Sequence, residues 1–147
     1  MSEIRQDLST KDWTIFAAER SKRPNDFKKI KESRIRKEYK KRCPFCRGNE
    51  NMTPKEVLSI KDGKDWSVRV VPNKFPALRP KEVNGNNVGR HIKGPYLSIN
   101  GAGSHEVIIE SPRHNEDLYN MKLSQVEHVM QAYRERFIEL SCNKTNQ

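Results

Sequence analysis

Near the end of this chain lies its one long run of helix-period apolar residues. Val126, Val129, Met130, Tyr133, Phe137 and Leu140 recur at spacings of three and four, which places them on one stripe of an α-helix. Ser124 and Glu127 stand where a capping box, S-x-x-E, would open it. A single amphipathic helix cannot bury its stripe against itself, so the residues before it must supply a sheet for it to cover. The helix is expected from about Ser124 to Leu140, with Val126, Met130, Tyr133 and Phe137 facing that sheet. His128 would then lie on the polar side, in solvent.

The preceding residues read as β. Trp13-Thr14-Ile15-Phe16-Ala17-Ala18 is a β-prone run behind the turn-forming Ser9-Thr10-Lys11-Asp12. Glu56 to Ile60 alternates as a strand does, and Asp62-Gly63-Lys64-Asp65 is a hairpin turn into Trp66–Val71. Pro72 ends that strand, and His105 to Glu110 forms another, closed by Ser111-Pro112. The fold class is α+β: an antiparallel sheet covered by a C-terminal helix, in one domain spanning 1–147. Residues 25–42 read as a basic, partly helical linker within it. Residues 79–104, rich in Gly, Pro and Asn, read as a loop excursion.

Composition bounds the partners. Hydrophobic and charged residues each make up 33% of the chain, so the core is modest. The net charge of +10 comes entirely from Arg20–Arg47, where thirteen Lys/Arg face three acids. A local excess points to an anionic partner or to a solvated basic loop. Only Phe27 and Tyr39 interleave with these charges, too few aromatics for the stacking that nucleic acids favour. No apolar stretch approaches the ~18 residues of a membrane span, and no leader-like segment opens the chain. With three cysteines, an odd number, the expectation is a soluble, cytoplasmic protein with reduced thiols.

Cys43-Pro44-Phe45-Cys46 carries the strongest chemical signal. A C-x-x-C pair offers two thiolates to one metal, half of a tetrahedral zinc site. The rival is a redox dithiol, which would normally open a helix in a βαβ pattern that is absent here. Cys142 lies beyond the far end of the helix. Of the four histidines, His91 falls in the excursion, His105 begins a strand, and His114 sits on a loop just past a strand end. Arg20, Lys22 and Arg23 form a basic cluster after the first strand, fit to clamp a phosphate or simply to be solvated. Asn73 and Phe75, after Pro72, would suit a nucleoside edge and its aromatic wall, or an ordinary turn.

Taken in order, these pieces resemble the galactose-1-phosphate uridylyltransferase family of the histidine-triad superfamily. The matching residues are Arg5-Gln6-Asp7 with Trp13-Thr14-Ile15, Arg20-Ser21-Lys22-Arg23-Pro24, Cys43-Pro44-Phe45-Cys46-Arg47-Gly48-Asn49-Glu50 and Thr53-Pro54. Val70 to Leu78, His105 to His114 and the helix ending Tyr133-Arg134-Glu135-Arg136 complete them. The resemblance implies a histidine-triad-like half-domain in which Cys43, Cys46 and His114 bind zinc. It implies that Arg20 and Arg23 approach the phosphates of a nucleotide sugar, while Asn73 and Phe75 line the nucleoside pocket. It implies a ping-pong nucleotidyl transfer between a UDP- or ADP-hexose and a hexose-1-phosphate, in galactose and nucleotide-sugar metabolism, by a full-length homodimer. The family's nucleophile lies in a His-x-His motif beyond this helix, and these 147 residues contain none. The expectation is therefore an N-terminal segment, incomplete at its C-terminus and without transfer activity by itself. The alternative is a non-catalytic zinc module that binds nucleic acid through the basic segment.

Overall fold

A computed structural model describes residues 2–22, 36–80 and 89–142. In chain order its strands are β1 (Glu3–Gln6), β2 (Trp13–Phe16), β3 (Leu58–Asp62), β4 (Asp65–Pro72), β5 (Arg90–Lys93), β6 (Tyr96–Asn100) and β7 (Glu106–Ile109). One α-helix follows, α1 (Leu123–Cys142). The elements gather into two compact units between which the chain passes back and forth. Met1–Asp26, Phe75–His105 and Leu140–Gln147 belong to the first, and Phe27–Lys74 and Glu106–Glu139 to the second.

The first unit holds a four-stranded antiparallel sheet in the order β2-β1-β6-β5. The expected turn before β2 is built on Asp7, whose Oδ1 accepts the amides of Ser9 at 2.8 Å and Thr10 at 2.9 Å. Lys11 closes it in the left-handed region, with φ of 66°. At the other end of β1, the Gly101 amide donates to the Ser2 carbonyl at 2.9 Å. A Cβ at Gly101 would meet that backbone at 2.8 Å, so only glycine fits there. β2 lies at the sheet edge with Trp13, Ile15 and Phe16 exposed, and the Arg5 guanidinium stacks on Phe16 at 4.4 Å.

The excursion expected at 79–104 is in part ordered sheet. Arg90–Lys93 and Tyr96–Asn100 pair as a hairpin through Gly94-Pro95, with Gly94 at φ 59°. Glycine and proline, read as loop signals, here make a two-residue turn between pairing segments. Residues 81–88 lie outside the described residues. So do residues 25–35 of the expected linker, while residues 36–42 follow no regular helix.

The second unit is a three-stranded antiparallel sheet, β3-β4-β7, with α1 packed on one face. Gly63, at φ 64°, makes the tight β3–β4 turn as expected. The core joins Ile60, Val68 and Val70 of the sheet to Val129 and Ala132 of the helix, flanked by Leu58, Ile108 and Met121. Each such valine, fully buried, contributes about 1.5–3 kcal/mol. The register breaks between Ile60 and Lys61, which pair with Val68 and Trp66 and leave Ser67 as an unpaired bulge residue.

The helix differs from expectation in three respects. It begins at Leu123, so Ser124 lies inside its first turn and does not cap it. Its buried face is Val129, Ala132 and Arg136, whereas Met130 and Tyr133 are exposed and Phe137 is 74% exposed. The inward stripe is rotated because a small and a charged residue occupy it. Arg136 is held by Glu106 at 2.8 and 2.6 Å, which offsets the desolvation of its charge. Finally, His128 is not solvated: its Nδ1 lies 2.9 Å from Ser67 Oγ. Gln125 fastens the same spot, accepting from Ser67 Oγ at 2.7 Å and donating to the Ser67 and Glu110 carbonyls at 3.0 and 2.7 Å.

Candidate metal centre

The knuckle is assembled from consecutive turns. The Cys43 amide donates to the Lys40 carbonyl at 2.9 Å, Cys46 to Cys43 at 3.4 Å, and Asn49 to Cys46 at 3.1 Å. Gly48, at φ 87°, lets the chain reverse. Asn49 sits inside this coil with 8% exposure. Its Nδ2 donates to the carbonyls of Cys43 at 2.7 Å, Lys41 at 3.2 Å and Lys40 at 3.4 Å, and its Oδ1 accepts the Tyr39 hydroxyl at 3.2 Å. One buried amide thus supplements the turn bonds of a segment with no regular structure. Next to it, Glu50 accepts from the Gly48 amide at 3.0 Å and from Trp66 Nε1 at 2.7 Å, anchoring the knuckle to β4.

The loop after β7 is laid against the knuckle by main-chain bonds. The Arg47 amide donates to the Pro112 carbonyl at 3.2 Å and the His114 amide to the Glu38 carbonyl at 2.7 Å. His114 is thereby carried to the two cysteines. The thiol sulfurs of Cys43 and Cys46 and a ring nitrogen of His114 all lie within 4.8 Å of one another. Cys46 is buried and the other two half-buried.

Two thiols and an imidazole form a soft donor set suited to zinc and to other thiophilic ions. In a tetrahedral site, bonds of about 2.3 Å to sulfur and 2.0 Å to nitrogen place donors roughly 3.5 Å apart. The present donors, within 4.8 Å of one another, are spaced somewhat more loosely than that. Burial, joined by the neighbouring Cys43 thiol, pushes the Cys46 thiol up from its ordinary pKa despite a bond to the Lys40 amide. A bound metal favours the thiolate form of its ligands and displaces the thiol proton.

The remaining site residues fall in different places. Arg20 lies on the short 3-10 turn Ala18–Lys22 of the first unit, its Nη1 3.5 Å from His105 Nδ1. Phe75 belongs to the same unit and is 40% exposed. Asn73 follows β4 in the second unit and is half-buried. Arg23 lies outside the described residues. Among residues to which the sequence reading gave no role, Asn49 stands out, because nothing in a local pattern signals an amide folded into its own turn. His105 is another: its Nδ1 accepts the Ala77 amide at 2.8 Å. Burial first, and then the Arg20 charge, push its pKa below the ordinary histidine value.

A knuckle and a strand-end histidine on a helix-backed antiparallel sheet form a cluster that could hold a metal ion, in a segment of the α+β class. The galactose-1-phosphate uridyl transferase family, N-terminal domain, matches residues 1–147, and the chain belongs to that family. It is 33% identical over 141 residues to ADP-glucose phosphorylase of Arabidopsis thaliana, covering 95% of this chain and 39% of that protein. It is 28% identical over 143 residues to galactose-1-phosphate uridylyltransferase of Thermotoga maritima, covering 96% and 37%. The crystal structure of the Arabidopsis thaliana ADP-glucose phosphorylase with bound ADP-glucose superposes with a TM-score of 0.56 at 30% identity, over 99% of this chain and 40% of that one. The chain therefore spans about two fifths of the length of these relatives. Among the described residues no helix is long and apolar enough to cross a membrane.

Proposed function

We propose that this chain is the zinc- and nucleotide-binding N-terminal segment of a nucleotidyltransferase acting on a UDP- or ADP-hexose and a hexose-1-phosphate. The observation that carries the reading is the convergence of Cys43, Cys46 and His114 within 4.8 Å, in a chain of the uridyl transferase family. Zinc held there cross-links the knuckle to the loop after β7. In this reading Arg20 and Arg23 meet the phosphates as charge-assisted donors, and Asn73 and Phe75 meet the nucleoside. These residues bind and orient.

Transfer is assigned to none of the four histidines. His114 faces the thiols, His105 holds the Ala77 amide, His128 meets Ser67, and His91 Nε2 lies 3.1 Å from Asn100 Oδ1. A covalent transfer needs a free, activated nucleophile. The 147-residue chain is expected to bind one zinc ion and a nucleotide sugar weakly, and to transfer no nucleotide. The test is zinc analysis of the purified chain, calorimetric titration with ADP-glucose and UDP-glucose, and an assay of labelled nucleotide transfer to a hexose-1-phosphate. Absence of zinc and of binding to both sugars sinks the reading, and turnover by the chain alone overturns the assignment of its histidines.

A further inference from the structure

Within the first unit, the segment after Lys74 is laid along the residues that lead into β7. The Gly103 amide donates to the Arg79 carbonyl at 2.8 Å, and the Arg79 amide to the Gly101 carbonyl at 3.4 Å. Gly103, at φ 150°, makes room for Leu78, whose Cδ1 would stand 3.1 Å from a Cβ there. At the end of this seam, one ring nitrogen receives two donors from different places. His105 Nδ1 accepts the Ala77 amide at 2.8 Å and lies 3.5 Å from Arg20 Nη1.

We propose that His105 is a positioning residue for the nucleotide site, fixing the Phe75–Leu78 loop and the Arg20 guanidinium in one geometry through the lone pair of Nδ1. This rests on the proposed role of Arg20 and Phe75. An amide and a guanidinium both donate, so the nitrogen between them must be unprotonated and the ring proton must sit on Nε2. Protonating Nδ1 would expel the Ala77 amide and set an imidazolium against Arg20. The aromatic wall and the phosphate clamp then lose their common anchor, although neither has been altered.

The groups around the ring favour the neutral form. Arg20 faces it from the 3-10 turn, and burial and that charge lower its pKa. On the loop the ionisable side chain is Arg79, paired with Glu19 at 3.4 Å. Glu106, next in the chain, is engaged by Arg136. An asparagine at position 105 places an amide oxygen close to where Nδ1 sits and does not titrate. A leucine keeps the bulk and removes the acceptor.

The experiment has two arms on the full chain. In the first, nitrogen NMR of the free protein should report His105 as the Nε2–H tautomer, with the Ala77 amide protected from exchange. That protection should vanish in His105→Leu and survive in His105→Asn. In the second, calorimetry with ADP-glucose and UDP-glucose should give about tenfold weaker binding for His105→Leu, the loss of one charge-assisted contact, and near-native binding for His105→Asn. Wild-type affinity should fall as the pH drops through the lowered range of His105, beneath the ordinary histidine value, and the His105→Asn affinity should not. A proton on Nδ1, or leucine and asparagine variants that behave alike in binding and in pH profile, overturns the assignment of His105. Correct tautomer and protection in a wild-type chain that binds neither sugar would overturn the function assigned to Arg20 and Phe75, and the positioning role with it.

Discussion

Arg136 and Glu106 meet through two hydrogen bonds, 2.8 and 2.6 Å long, with side chains only 7% and 14% exposed. The pair ties the helix to the first residue of β7. Removing one partner leaves the other charge buried without compensation, a loss of about 3–5 kcal/mol. Arg136→Ala and Glu106→Ala should each show it in urea unfolding. The double change to apolar residues of similar volume should recover much of the loss. Glu139→Ala, which removes an exposed partner 2.5 Å from Arg136 Nη1, should cost less than about 1 kcal/mol.

The two faces of the same helix should answer differently to truncation. Phe137→Ala should cost less than about 1 kcal/mol, because that ring is mostly in solvent. Val129→Ala, at a side chain with no exposed surface, removes packing on Val68 and Val70 and should cost roughly 2 kcal/mol. Equal costs in thermal melts would mean that the buried stripe has been misplaced.

Metal binding should depend on the donors in two tiers. Cys43→Ser or Cys46→Ser should lower zinc affinity by more than about 100-fold, beyond the 10–100-fold typical of a supporting contact. Asn49→Ala should fall within that supporting range, since it removes three bonds to the knuckle carbonyls without removing a metal-donor atom. Competition with a chromophoric chelator measures both. An unchanged affinity in Cys46→Ser would exclude the thiol as a ligand.

Acid should loosen the anchor between knuckle and sheet. Burial raises the pKa of Glu50, but the bonds from Trp66 and the Gly48 amide outweigh it, leaving the group below its ordinary value of 4.5. A carboxylate lowered on folding lends stability that is complete above that value and is lost as the pH falls through the folded one. Melting temperature should therefore drop below about pH 4.5, and Glu50→Gln should flatten that part of the profile.

Much of the second unit was legible because its signals are local. Gly63 marks the hairpin turn, alternation marks β3, and Ser111-Pro112 closes β7. Cys43 and Cys46 are legible as metal chemistry from their spacing alone, whereas His114 joins them only through the family resemblance. The first sheet was harder to read. Glu3–Gln6 is four mostly polar residues that become a central strand only because β2 and β6 lie on either side. The β5–β6 hairpin hides behind Gly94-Pro95. The inward face of the helix could not be read from hydrophobicity, because Ala132 and Arg136 fill it. The Ser67–Gln125–His128 cluster depends on a bulge, and a bulge is a mismatch between two strands that neither one displays alone.

The passage of the chain back and forth between the two units bears on how it folds. β1 ends at Gln6 and its partner β6 begins at Tyr96, with the whole β3–β4 hairpin threaded between them. Closing so distant a pair costs chain entropy before any contact rewards it, and such non-local pairing slows folding. The β3–β4 hairpin closes locally and has no such delay. Nascent chain emerging in order would expose β1 and β2 as an unprotected ribbon until residue 100 is made. During that interval the edge of β1 is open to strands of other molecules, and co-translational aggregation would begin there.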